Sequence, residues 1–256
     1  MDLKGGLLDL LLPRSCAVCG STLGRAEEHI CLECLAGMPL TYFWQLPHNP
    51  MADRLNARVQ QAMEHSPAPY EAYSYACALY YYKENYRGLS RAVKYDARLS
   101  LGRFLGRHLG SVLLRGTFAD VDAVLPVPLH WTRRLLRGYN QAQIIALAVA
   151  EVMGTVCRTD ILRRRRRTQS QARLKVSEKA ANVRGAFEVS DKALQSFAAS
   201  CGRAPRHILL VDDVFTTGST LTECHRALRA ALTRLYGAQE AAGVKISVAT
   251  LAFVGD

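Results

Sequence analysis

Apolar residues recur along this chain with two different periods. Cys77-Ala-Leu-Tyr-Tyr-Tyr82, Val121 to Val127, Ile208 to Val214 and Lys245 to Phe253 are short runs rich in aliphatic and aromatic side chains, and each predicts a strand. Leu89, Val93, Leu101, Leu105, Leu109 and Val112 fall at near-helical spacing and predict a helix over Tyr86 to Leu114. Asn140 to Met153 predicts an amphipathic helix that Gly154 stops, and Leu221, Cys224, Leu228, Ala231, Leu232 and Leu235 predict another ended by Gly237. Strand and helix in alternation imply an α/β fold, a parallel sheet flanked by helices. The Ile208 run is apolar without interruption, as in a strand covered on both faces.

Residues 1–40 read differently. Pro13, Gly20, Gly24 and Gly37 punctuate them, and few large apolar side chains are present to build a core. Cys16-x2-Cys19 and Cys31-x2-Cys34, with eleven residues between the pairs, form two knuckles suited to a tetrahedral thiolate site on Zn²⁺. Disulfides are the competing reading. No cleavable leader supports it, because Leu7 to Leu12 is short and broken by Asp9. His29 could replace one thiolate, or be a solvated loop histidine. Cys77, Cys157, Cys201 and Cys224 are scattered and read as inert thiols. The predicted organisation is therefore a zinc module at 1–40, a connector at 41–70 and a large α/β domain at 71–256. Within the connector, His48 to Pro69 is polar and proline-bounded, with a helix expected at Met51 to Glu64.

Charge changes this picture at one place. Between His130 and Gly185 thirteen Lys or Arg face three Asp or Glu, so nearly all of the formal +11 lies there, five of the arginines in the run Arg163 to Arg167. Such concentration suits a polyanionic partner, a diphosphate-bearing ligand or nucleic acid, and is equally compatible with a solvated basic face. No apolar run reaches eighteen residues, which argues against a membrane-spanning helix; a cytoplasmic location is expected.

The densest chemistry is Ile208-Leu-Leu-Val-Asp-Asp-Val-Phe-Thr-Thr-Gly-Ser-Thr220. An apolar strand ends in Asp212 and Asp213, then a turn containing Thr216, Thr217, Gly218, Ser219 and Thr220 opens a helix. Hydroxyls and backbone N–H groups at the positive end of a helix suit a phosphate. Ionised carboxylates just before it accept hydrogen bonds from vicinal sugar hydroxyls and can hold hydrated Mg²⁺, so a ribose 5-phosphate is the matching ligand.

This segment resembles the signature of type I phosphoribosyltransferases, which bind 5-phosphoribosyl 1-diphosphate (PRPP). With the N-terminal Leu-Leu-Leu-Pro-Arg-Ser-Cys-Ala-Val-Cys, Val93-Lys94-Tyr95, Leu125-Pro-Val-Pro-Leu-His130, Arg137-Gly-Tyr-Asn-Gln141, Thr168-Gln-Ser-Gln171 and Asn182-Val-Arg-Gly-Ala-Phe187, the chain is similar to the ComF family of competence-associated, amidophosphoribosyltransferase-like proteins. The resemblance implies a diphosphate loop after Val127, served by Arg133, Arg137, Asn140 and Gln141. It implies a flexible loop over the reacting centre carrying Thr168, Gln169, Gln171, Lys179 and Asn182. The chain departs from the family pattern at Lys179, where Arg is usual, and at Val93-Lys-Tyr-Asp-Ala, where a Lys-Tyr-Gly turn is common.

Two functions follow from the resemblance. One is Mg²⁺-assisted phosphoribosyl transfer from PRPP to an unidentified acceptor, with Asp212 and Asp213 as catalytic residues. The other is a non-catalytic competence protein that binds single-stranded DNA on a transferase scaffold, or works with the DNA-uptake machinery. Tyr139 could stack a base or serve as a core or rim tyrosine. The sequence leaves the acceptor and the oligomeric state open.

Overall fold

The computed structural model describes residues 14–63, 73–95, 99–130, 135, 138–165 and 184–255. Within them five strands, β1 (Ala76–Tyr81), β2 (Ala123–Pro126), β3 (Val156–Cys157), β6 (His207–Phe215) and β7 (Lys245–Phe253), form a parallel sheet in the order β1-β7-β6-β2-β3. Two short strands, β4 (Leu162–Arg164) and β5 (Phe187–Val189), form a separate antiparallel pair. The helices are α1 (Leu32–Ala36), α2 (Pro50–Met63), α3 (Arg87–Tyr95), α4 (Leu99–Leu113), α5 (Gln141–Met153), α6 (Asp191–Cys201), α7 (Ser219–Tyr236) and α8 (Ala238–Gly243).

The sheet's centre is where the longest apolar runs lie. Ile208, Leu209, Leu210 and Val211 of β6 and Val248, Ala249, Leu251 and Ala252 of β7 are fully buried. At about 1.5–3 kcal/mol for each large aliphatic side chain removed from water, these two strands anchor the fold. Of the helix expected over Tyr86 to Leu114, Arg87–Tyr95 and Leu99–Leu113 are helical as α3 and α4, and residues 96–98 lie outside the described residues. Asn140 caps α5, its side chain accepting from Ala142 N–H, and Gly154 ends it in the left-handed conformation, φ 64°. No apolar run announced α6, which buries just Ala193, Leu194, Phe197 and Ala198.

α4 and α5 meet unusually closely. Glycines stand at every fourth position of α4, and a Cβ on Gly106 would lie 2.8 Å from Ala148 Cβ and 2.9 Å from the Ile145 carbonyl; one on Gly110 would lie 2.9 Å from Val152 Cβ. Backbone therefore approaches backbone with no side chain between.

The segment expected as a polar connector contributes to the core. Asn49 caps α2 by accepting from the N–H groups of Met51 and Ala52, and Met51, Leu55 and Val59, one helical turn apart, are buried along one face. Just before it, Leu40 bridges Tyr80 in antiparallel fashion and Tyr81 N–H donates to the Pro39 carbonyl, so this strand segment covers the outer edge of β1.

The amino ends of the strands close in a polar network. The buried His207 ring joins Asp120 at 2.7 Å through Nδ1 and Ser247 at 2.8 Å through Nε2, and Lys245 donates to the other Asp120 oxygen at 2.8 Å. Asp122 accepts from the Arg203 guanidinium and from the N–H groups of Arg206 and His207.

Candidate functional site

The N-terminal module is built around sulfur. Ser15 and Thr22 pair in antiparallel fashion and bend Cys16 and Cys19 onto one turn, while Cys31 caps α1 and brings Cys34 beneath it. The four Sγ atoms of Cys16, Cys19, Cys31 and Cys34 all lie within 4.8 Å of one another, and Cys19 and Cys31 are 3.8 Å apart. A tetrahedron of Zn–S bonds of about 2.3 Å requires sulfurs roughly 3.8 Å apart, so the donor set fits. N–H groups of Val18 and Cys31 point at Cys16 Sγ, at 3.4 and 3.3 Å.

Thiol acidities diverge across this cluster. The Ser21 hydroxyl and N–H hold the Cys19 thiol at about 6. Burial pushes Cys16 up, but backbone donors outweigh it and leave the thiol below its ordinary value. Burial and the neighbouring thiols drive Cys34 far up, and Cys31 also rises, where burial and adjacent thiols overcome the Cys34 N–H donor. Four sulfurs this close cannot all ionise unless a cation neutralises them, and the set leaves no open position: the residues form a structural zinc site. His29 is not among the cluster; its ring stands edge-on to Phe104 of α4, centroids 5.7 Å apart, and packs the module against the large domain. Of the remaining cysteines, Cys77 and Cys224 are buried with raised thiols, burial likewise pushes Cys157 up to about 11, and Cys201 is exposed.

The second site lies at the carboxyl ends of the parallel strands. β6 carries Asp212, half-buried, and Asp213, 5% exposed, near its carboxyl end, and the Asp213 N–H donates to Asp212 Oδ1 at 2.8 Å. As neighbours on a strand they point to opposite faces: burial raises Tyr80 of β1 and Cys224 of α7, and the charge of Asp213 adds to the first and that of Asp212 to the second. Thr216 and Thr217 follow, then Gly218 at φ 77°. A side chain there would be strained by the backbone and would also strike the Phe215 ring, 2.7 Å from an added Cβ. The turn opens α7 directly, bringing Ser219 and Thr220 to its first turn, with Thr217 and Ser219 hydroxyls 3.0 Å apart.

Two arginines that the connector reading hid reach this loop. Arg54 of α2 donates to the carbonyls of Thr216 at 3.3 Å and Val254 at 3.2 Å, tying the ends of β6 and β7 together. Arg58, one turn on, reaches the Ser219 hydroxyl at 3.4 Å, and burial together with the charge of Arg54 lowers its guanidinium from the usual range. Their i, i+4 spacing beside buried Met51, Leu55 and Val59 was the available signal.

Asn140 and Gln141 stand at the entrance of α5, the carboxyl side of β2, where Asn140 Nδ2 donates to Val127 carbonyl at 3.1 Å and Gln141 is buried. Tyr139 donates to the Val93 carbonyl at 2.8 Å and so holds α3 in place. Arg133, Arg137, Thr168, Gln169, Gln171, Lys179 and Asn182 lie outside the described residues. At their border the arginine run is partly engaged within the fold: Arg164 lies 5.1 Å over the Phe187 ring and Arg165 pairs with Glu188 at 3.3 Å. The Gly185 N–H donates to Glu223 of α7 at 2.6 Å.

A parallel sheet with this acid-rich strand, glycine turn and helix, preceded by a four-cysteine knuckle pair, defines a phosphoribosyltransferase-like α/β protein with an N-terminal zinc module. The double zinc ribbon domain family matches residues 7–43. Competence protein F of Haemophilus influenzae is 36% identical over 42% of this chain and 44% of its own length. DNA utilization protein YhgH is 28% identical in Salmonella typhimurium, over 55% of this chain and 59% of that protein, and 26% identical in Escherichia coli, over 83% of both. The chain thus spans about half the length of the first two of these relatives. Glutamine phosphoribosylpyrophosphate amidotransferase from B. subtilis, solved with ADP and GMP, aligns at 15% identity over 62% of this chain and 30% of that one, with a TM-score of 0.30. The chain is thus similar to competence and DNA utilization proteins and carries an N-terminal match to the double zinc ribbon family. Among the described residues no helix is long and apolar enough to cross a membrane.

Proposed function

We propose that the carboxyl end of the sheet binds PRPP with Mg²⁺ and that the protein transfers the phosphoribosyl group to an acceptor nucleophile, in competence-related handling of DNA. The observation that carries this reading is the continuity of β6, paired carboxylates, Gly218 turn and α7 N-terminus in one uninterrupted segment. The 5-phosphate would sit on the N–H groups and hydroxyls of Thr216 to Thr220, with Arg58 adding positive charge beside Ser219. Asp212, the more exposed of the pair, would accept from the vicinal ribose hydroxyls and so orient C1 toward the acceptor, with Asp213 adding negative charge from the other face of the strand end. Mg²⁺, held through the same carboxylates and the diphosphate, would neutralise charge on the leaving group. Arg133 and Arg137 would add bidentate contacts to that diphosphate, with Asn140 and Gln141 at the helix entrance. The segment with Thr168, Gln169, Gln171, Lys179 and Asn182 would exclude water from the reacting carbon. The DNA context rests on the names of the relatives from Haemophilus, Salmonella and Escherichia.

Calorimetry with PRPP and with ribose 5-phosphate, with and without Mg²⁺, tests the reading. Asp212→Asn with Asp213→Asn should abolish Mg²⁺-dependent PRPP binding and leave weak affinity for ribose 5-phosphate. A parent protein that binds neither ligand, or a double variant with undiminished PRPP affinity, refutes it. Diphosphate release in the presence of mixed nucleobases then separates transfer from binding alone.

A further inference from the structure

A cavity of about 710 Å³ opens at the carboxyl ends of β1 and β7, one strand away from the Asp212 loop. Such a volume suits a small organic ligand, for which sites of roughly 300–1,000 Å³ are usual. Gly37 and Pro39, the exit of the zinc module, form one wall, and Phe253 and Gly255 form another. The floor runs along the end of β1 into α3, through Tyr81, Tyr82, Lys83 and Arg87. The Phe253 and Phe215 rings, centroids 5.9 Å apart, stand between this space and the Gly218 turn.

The lining is specific in its chemistry. Tyr81 and Tyr82 are half-buried and present ring surface, and the Arg87 guanidinium lies 5.7 Å over Tyr82 to extend that surface with a second planar group. Lys83 is exposed beside them, and among the described residues that line the cavity none is acidic. A purely apolar ligand would gain nothing from two cations, and an inorganic anion would gain nothing from the aromatic rings. A flat ring system that carries a phosphate uses both.

We propose that this cavity binds a nucleotide, its base stacked on the Tyr82–Arg87 pair and its phosphate on Lys83 and Arg87. The zinc module shapes the site. The Tyr86 hydroxyl donates to the carbonyl of the zinc ligand Cys34 at 2.8 Å and so fixes the start of α3 against the knuckle that supplies Gly37 and Pro39. Metal is thereby connected to ligand binding without touching the ligand. The shared chemistry covers a free mononucleotide and one unit of a single strand, and the test separates them.

The zinc-loaded protein is titrated calorimetrically with thymidylate, thymidine, inorganic phosphate and a ten-residue oligothymidylate. Thymidylate should bind, and Tyr82→Ala should weaken it about 10-fold or more. Lys83→Glu with Arg87→Glu, exposed positions whose change leaves the fold intact, should remove the advantage of thymidylate over thymidine. Asp212→Asn with Asp213→Asn should leave thymidylate affinity unchanged, which keeps this site distinct from the PRPP reading. Binding of the oligomer alone, weakened by the same cavity variants, identifies the source as a strand; binding of thymidylate with no gain in the oligomer identifies a free nucleotide. The proposal is overturned if neither binds, if the cavity variants bind like the parent, if phosphate binds as tightly as thymidylate, or if the Asp variant loses the affinity as well.

Discussion

The two ends of the parallel sheet are both rich in acids and hydroxyls, yet they are built to opposite purposes. At the amino end Asp120, His207 and Ser247 stand in the order of an acyl-transfer triad, with 2.7 and 2.8 Å contacts. Ser247 and His207 are both 0% exposed, and no substrate can approach them. Both carboxylates there are answered by other groups of the chain: Lys245 on Asp120, Arg203 and two N–H groups on Asp122. At the carboxyl end the polar groups sit on a loop and at a helix start, beside two arginines of like charge. A constellation of reactive residues is thus a staple when it closes on itself and a candidate site when its geometry turns outward to a ligand.

Metal removal gives the largest test of that contrast. Chelation, or Cys34→Ala, should withdraw the roughly 10–16 kcal/mol that structural zinc contributes at neutral pH and unfold the module. Hydrogen exchange should then rise in residues 14–41 and around Tyr86, while β6 and the amino-end network stay protected. Uniform loss of protection would mean that both ends depend on the metal equally.

Gly218→Val strikes the carboxyl end alone. Positive φ and the collision with Phe215 together should cost roughly 2–4 kcal/mol in denaturant unfolding and abolish ribose 5-phosphate binding. Retained binding would remove the turn from the site.

His207→Gln strikes the amino end, where leaving a buried partner unsatisfied should cost about 1–3 kcal/mol at pH 7 with PRPP affinity unchanged. The cost depends on pH with a definite sign. Burial, outweighing the attraction of Asp120, lowers the His207 pKa, so its neutral form stabilises the fold fully above about pH 6.5. That contribution disappears as pH falls through the lowered value. Asp120 is raised by burial but held at about 2 by Lys245 and His207, and its contribution is lost later, between roughly pH 4 and 2. Parent stability should therefore begin to decline below about pH 6.5 and that of His207→Gln only near pH 4. Parallel curves would sink the assignment. The smallest effect is expected for Arg203→Ala, about 1 kcal/mol or less, because Asp122 keeps its two backbone donors and Arg203 is partly solvated.

Where one side chain decides one element, the chain could be read directly. Lys245–Phe253 is the strand its aliphatic run announces, Gly154 and Gly237 stop their helices, and four cysteines at knuckle spacing converge. What escaped depends on partners distant in sequence. Arg54 and Arg58 look like ordinary helix-surface cations until α2 is laid across α7, and His29 like a loop residue until Phe104 meets it. The aromatic cavity joins residues 37–39, 81–87 and 253–255, and no local period links those three stretches. Helix α6 is short, with a narrow buried stripe, and its Ser190 cap and Gly202 end were its real punctuation.

The glycines of α4 change what substitution means in this helix. Replacing glycine by alanine in a helix ordinarily favours folding by about 1 kcal/mol, and a propensity-guided redesign would choose Gly106 and Gly110 first. Here each new methyl would wedge α5 outward against Ala148 or Val152 and tilt the element that begins at Asn140. Engineering for heat resistance along that route would yield a helix that is better alone and a protein that is worse, with the entrance of α5 displaced far from the altered residue.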